Sequence, residues 1–180
     1  KALMIRHEML RKVTSDSSPL HWQYGAIARM PKHTSIEPLL YGGYSSISLG
    51  YIGLYETTIA MKGVSHTTPE GKEFAMRVMK RLRQACDDWK KQTNIGFALY
   101  GTPAESLCYR FAKIDRAKFG EVENITDKGY YTNSYHVDVR EHIDAFSKLR
   151  FENEFQPISS GGCISYVEVP NMQHNLEAME

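Results

Sequence analysis

Cysteine is scarce in this chain: Cys86, Cys108 and Cys163 are the three in 180 residues. They lie far apart and are odd in number, which argues against a disulfide framework and against a Cys-x-x-Cys zinc site within the chain. A reducing cytoplasm is the simplest setting for them. No apolar run approaches the ~20 residues a membrane-crossing helix needs, and the first residues lack the basic-then-apolar plan of a signal peptide. No membrane partner is expected. Charge of one sign is missing too: 22 Lys and Arg stand against 21 Asp and Glu, a formal net charge of +1. Bulk charge therefore does not recruit a polyanion, and no nucleic-acid partner is expected. Gly-x-Gly-x-x-Gly, the Walker loop and the Gly-x-Ser-x-Gly elbow are all absent. The histidines show no metal spacing: His136 and His142 are six apart, and His21, His33 and His66 fall in loop-like stretches. Each reads as a structural or surface residue. There is no internal repeat and no low-complexity segment.

What is present reads as alternating strands and helices. KALMIRHEMLRKV opens as a helix; TSDSSP (14–19) and PKHTSIEP (31–38) read as loops, with HWQYGAIARM of uncertain type between them. A strand at Ser45 to Leu49 leads into a helix near Tyr51 that stops at Gly63. The next helix has Pro69 near its start behind Thr67 and Thr68, with Phe74, Val78, Leu82, Ala85 and Trp89 as its apolar stripe and a mixed charged face that reads as solvated. A strand at Ile95 to Tyr100 feeds a helix from Pro103 to Phe119 that is expected to bury Leu107, Phe111 and Ile114. GYYTNSYHVDV reads as a strand, REHIDAFSKLRFENEF as a helix, CISYVEV as a strand launched from the 159–162 turn, and NMQHNLEAME as helix. Helices between strands imply an α/β layer or barrel. Both ends read as cuts through a longer protein, so residues 1–180 are expected to be an internal segment with no separate second domain.

The most informative stretch is IGFALYGTPAES, 95–106. It joins an apolar strand to a helix through a Thr102-Pro103-Ala104-Glu105 sequence that fits a capping box: Thr102 as cap, Pro103 in the first helical position, Glu105 folding back onto the cap. Unpaired amides and the positive dipole end at such a start favour a phosphate or carboxylate. Gly101, Thr102, Pro103, Ala104, Glu105 and Ser106 are accordingly the candidate phosphate-binding residues, against the alternative of an ordinary capped helix. No catalytic and no metal-binding residue is assigned. Cys108 reads as a small buried apolar residue and Cys163, after two glycines, as an exposed one.

The segments YGGYSSISLGYIGLYE, SHTTPEGKEFAMRVMKRL, FALYGTPAESLCYRFAKID, TDKGYYTNSYHVDV and SGGCISYVEVPNMQHNLEA together resemble the catalytic subunit of class III, anaerobic ribonucleoside-triphosphate reductases, from end to end. That resemblance implies a ten-stranded α/β barrel of the glycyl radical enzyme type and reduction of ribonucleoside triphosphates to deoxyribonucleotides by glycyl and thiyl radical chemistry. It implies formate as reductant, a radical S-adenosylmethionine activase, a structural zinc, ATP and dNTP effectors and a homodimer for the parent enzyme. It also makes the GTPAES turn the place where substrate phosphates are received. The family's Arg-x-x-Gly-Tyr radical segment, its paired Cys-x-x-Cys zinc ligands and its Gly-Cys-Arg thiyl loop are missing, so none of the three cysteines is given the thiyl role, no cofactor is assigned to this segment and the chain alone is expected to be inactive. The competing expectation is a stand-alone α/β nucleotide-binding or interaction domain without catalysis.

Overall fold

The computed structural model describes residues 1–101 and 103–167. In chain order its regular elements are α1 (Ala2–Leu10), α2 (Pro19–Trp22), β1 (Ser46–Gly50), α3 (Leu54–Lys62), α4 (Pro69–Thr93), β2 (Gly96–Tyr100), α5 (Glu105–Phe119) and α6 (Ala145–Glu152), with short 3-10 turns at Ser15–Ser17, Glu37–Leu40 and Gln156–Ile158. Mixed helix and sheet is what the alternating pattern predicts.

The two strands pair in parallel from Ser46 opposite Gly96 to Gly50 opposite Tyr100, and α3 and α4 make the crossover between them. Parallel strands need such a connection, and a strand with neighbours on both faces carries no polar alternation. Thus Gly96, Phe97, Ala98 and Leu99 are all buried. The other edge of β2 is covered by the 159–163 run: Gly161 N–H donates to Leu99 O at 2.7 Å, Gly101 N–H to Gly162 O at 3.0 Å, and Gly101 bridges Cys163. Gly101 is needed there, since a Cβ would come within 3.1 Å of the Tyr135 ring and 3.3 Å of the Tyr51 hydroxyl.

Thr68 caps α4 by accepting the Gly71 N–H at 3.2 Å, with Pro69 in its first turn, as the sequence predicts. Gly63 ends α3 in the left-handed region at φ 73°. The buried ridge of α4 is Gly71, Ala75, Met79 and Cys86, one position round from the expected stripe. Phe74, Val78, Leu82 and Ala85 flank it half-buried and Trp89 is exposed. The wide apolar arc let either ridge be read; contact with Ile47, Leu54, Ile95 and Phe97 selects the smaller side chains for the centre.

Four other readings are corrected. α5 buries Cys108 and Ala112, whereas Phe111 and Ile114 are exposed and Leu107 is half-buried, because only a narrow side of the helix meets the body. The 129–139 stretch is irregular, with an isolated bridge between Asn133 and Ile52, and the 140–155 helix contracts to α6 behind an Asp144 cap. CISYVEV forms a bridge only at Cys163, and its last two residues lie outside the described residues, as does the expected helix NMQHNLEAME.

What holds the irregular 121–140 stretch is a buried lysine. The Lys128 side chain is fully enclosed and donates to Glu56 on α3 and to Asp138, with the Tyr55 and Tyr130 rings 4.6 Å and 4.8 Å from its ammonium. Thr132 adds its amide (2.8 Å) and hydroxyl (2.7 Å) to the same Glu56 oxygen. Burial pushes the Asp138 carboxyl up, but the Lys128 hydrogen bond, the Arg140 amide and the two cationic charges outweigh it and hold the group below its ordinary value.

Removing one member of such a group leaves a buried charge uncompensated. Lys128→Met is expected to cost about 3–5 kcal/mol in urea unfolding. Because the Asp138 carboxyl is depressed, its stabilisation is fully present above the ordinary value of 3.8 and is lost as pH falls through the lower folded value. Asp138→Asn should therefore flatten the acid limb of stability against pH below about 4. A Lys128→Met variant with unchanged midpoint would contradict the assignment.

Candidate functional site

β2 ends at Tyr100 as predicted, but α5 begins at Glu105, two residues later than the capping box requires. Ala104 occupies the cap position, with no side-chain cap, and Thr102 lies outside the described residues. The cap function comes from elsewhere in the chain. Asn133 Oδ1 accepts the Ala104 N–H at 2.9 Å and the Cys108 thiol at 3.2 Å. The Tyr131 N–H donates to Cys108 O at 3.2 Å, so the 130–136 loop is stitched along the first turn of α5. That amide oxygen reaches the helix start from 29 residues away.

Glu105 is engaged by its own backbone and by Tyr166. Its carboxylate accepts from its own backbone amide and from the Tyr166 hydroxyl at 2.9 Å, and in that order these hold it below the ordinary carboxylate value. Pro103, Glu105 and Ser106 are exposed and Ala104 is half-buried, so the turn opens to solvent. Gly101 is buried beneath it.

Beside the turn lies a cleft of about 230 Å³ whose polar lining includes Glu105, Thr132, Asn133, His136, Lys148 and Tyr166. His136 is held from behind: its Nδ1 sits 3.2 Å from Glu152 Oε2, in ion-pair range though not in hydrogen-bond alignment, and the Tyr166 ring meets it edge-on at 5.1 Å. Glu152 is fully buried and its other oxygen accepts the Val137 amide at 3.1 Å. Lys148, one helical turn before Glu152 on α6, donates to Tyr166 O and stands 3.8 Å from Glu152. An imidazole backed by a carboxylate, an ammonium, an amide and two hydroxyls can bind a polar ligand through donors and acceptors of both signs. Glu105 places a negative charge on the rim.

Sequence reasoning found the turn but not Asn133, His136, Lys148, Glu152 or Tyr166 as its companions. Only the bare stretch TNSYH carried a signal, and a strand reading hid it. The cysteines behave as expected. Cys108 is buried, its thiol raised to about 11 first by burial and then by the charges of Glu56 and Glu105, and Cys163 is exposed.

The model for the anaerobic ribonucleoside-triphosphate reductase family matches residues 1–180. The chain is 43% identical over 183 residues to the anaerobic ribonucleoside-triphosphate reductase of Escherichia coli (strain K12), covering all of this chain and 26% of that protein. To the enzyme of the same name from Enterobacteria phage T4 it is 40% identical over 181 residues, covering all of this chain and 28% of that protein. The chain thus spans about a quarter of the length of these curated relatives. Among solved structures, the anaerobic ribonucleotide reductase from Thermotoga maritima with citrate in the active site superposes with a TM-score of 0.65 at 20% identity, over 94% of this chain and 29% of that one. A second anaerobic ribonucleotide reductase gives 0.62 at 21% identity over 76% and 22%. At these identities the structures establish the likeness of fold.

Asn133→Ala removes the acceptor of the Ala104 amide and should lower stability by about 1–2 kcal/mol in thermal unfolding, while Asn133→Asp, which keeps an acceptor oxygen, should recover most of it. Thiol labelling followed by mass spectrometry provides a second measure. In the native chain Cys163 should react first and Cys108 only slowly, and Asn133→Ala should speed Cys108 alone. Equal rates at Cys108 and Cys163 in the native chain would refute this packing.

Proposed function

The chain belongs to the anaerobic ribonucleoside-triphosphate reductase family, and from that premise we propose that it contributes substrate-phosphate contacts and barrel wall to an enzyme converting ribonucleoside triphosphates to deoxyribonucleoside triphosphates. The observation that carries the reading is the open turn at the start of α5, standing beside a polar cleft. Gly101, Thr102, Pro103, Ala104, Glu105 and Ser106 form the turn. With the Ala104 amide spent on Asn133, the donors offered to phosphate are the first-turn amides from Ser106 onward and the Ser106 hydroxyl. Glu105, drawn to Tyr166, separates this anion position from the cleft. The phosphate then lies on the outer side of the helix start and the less charged part of the substrate faces Asn133 and His136.

The same premise supports the ten-stranded barrel, to which β1, β2 and the 159–163 run would contribute adjacent wall. Formate, the radical S-adenosylmethionine activase, ATP and dNTP effectors, a homodimer and a cytoplasmic setting belong to this proposal for the whole protein. No helix among the described residues is long and apolar enough to cross a membrane. The glycyl-radical segment and the zinc-ligand pattern are not in this sequence, so no residue here is assigned a step through either group. A stand-alone interaction domain is not favoured, since the family match runs the length of the chain.

Ser106→Asp sets a like charge in the phosphate position. In the full reductase carrying this sequence it should raise KM for a ribonucleoside triphosphate about tenfold or more, while Ser106→Ala changes it by less. The 180-residue chain alone, supplied anaerobically with activase and formate, should reduce no nucleotide. An unaltered KM in Ser106→Asp would remove the turn from the site, and turnover by the chain alone would show that its own residues hold the radical chemistry.

A further inference from the structure

A second cleft, of about 340 Å³, opens between α3 and α5 on the far side of Tyr131. Its chemistry differs from that of the first. Glu56, only 3% exposed, forms part of its wall, and its two oxygens are used unequally. Oε1 takes Lys128 and both donors of Thr132, whereas Oε2 is buried with no hydrogen-bond partner among the described residues. That oxygen lies toward Gly53, where a Cβ would stand 3.5 Å from it, and Gly53 and Glu56 line the cleft together. A buried carboxylate oxygen without a donor is costly, so a donor brought to this wall is favoured.

Charge supports the same conclusion. Asp115, held by the Tyr131 hydroxyl at 2.8 Å, is the second carboxylate of the cleft, and none of the residues lining it is cationic. Counting the groups linked behind it, Glu56, Asp138, Asp127 and Asp115 are acidic, and Lys128 and Arg140 are the cations paired with them. Two negative charges remain unmatched. Phe111 and Tyr131 add aromatic faces, and Ala60 and Ile125 add apolar wall. A bare metal ion is disfavoured, since no group of three or more His, Cys, Asp or Glu among the described residues could hold one.

We propose that the α3–α5 cleft is a binding site for an organic cation, a primary ammonium or guanidinium on an alkyl stem, seated on Asp115 in front of the buried Glu56 carboxylate with its stem against Phe111 and Tyr131. The site stands independently of the phosphate reading. The cation is either a free amine or a Lys or Arg side chain of a polypeptide, and the two sources share this chemistry.

Calorimetric titration of the full protein at low ionic strength tests it, with n-butylammonium, n-butylguanidinium, N-acetyl-lysine amide and N-acetyl-arginine amide as probes and n-butanol as the neutral control. One-site saturable binding of a cationic probe, with none for butanol, is the expected result. Asp115→Asn and Ala60→Leu, neither touching Lys128, should each weaken it about tenfold or more. Preference for the alkyl cations identifies a free amine as the occupant, and preference for the amino-acid amides identifies a side chain. The proposal is overturned if no cation saturates, if butanol binds equally well, or if both variants bind as the parent does.

Discussion

The enclosed ammonium of Lys128 is the constraint on which the arrangement of this molecule rests. It ties Glu56 on a regular helix to Asp138 at the end of an irregular loop, and both carboxylates are buried with it. Backbone bonds anchor the loop at a few points, Gly53 N–H to Thr132 O at 2.7 Å and Leu54 N–H to Ser134 O at 3.2 Å among them, and side chains complete its shape. Here a charge that must stay paired supplies that shape, because any loop conformation that separates the ions exposes a buried charge without compensation.

The consequences run outward from that point. With residues 128–138 pinned, Asn133 faces the start of α5 and accepts the Ala104 amide. His136, three residues on, is delivered to the cleft with Glu152 behind it. The α5 start and the cleft therefore form one unit although they come from separated parts of the chain. The same lysine engages one oxygen of Glu56 while the other stays buried without a donor in the wall of the second cleft, so a single ion group borders two concavities.

Charge placement also orders the candidate site. Glu105 lies at the rim, exposed and drawn to Tyr166, while Lys148 and His136 lie within. A rim carboxylate repels an anion and a helix start attracts one, so under the proposed reading the two features set apart an anionic-ligand side and a polar side.

Much of this could be read from residues alone. The Thr68-Pro69 start of α4, the Gly63 stop of α3 and the buried strand ending at Tyr100 follow from local chemistry: a hydroxyl three residues from an amide, a glycine that adopts positive φ, an apolar run of strand length. The family resemblance was likewise carried by linear segments. The start of α5, the course of residues 129–139 and the composition of both clefts depended on partners distant in sequence. Asn133 reaches the Ala104 amide because the Lys128 group holds its loop there, and Glu56, on an otherwise ordinary helix, becomes a buried ligand only when Lys128 and Thr132 close over it. Hydrogen bonds between neighbours in the chain leave a signature in the sequence, whereas a buried ion pair spanning 72 residues exists only once the chain has folded around it.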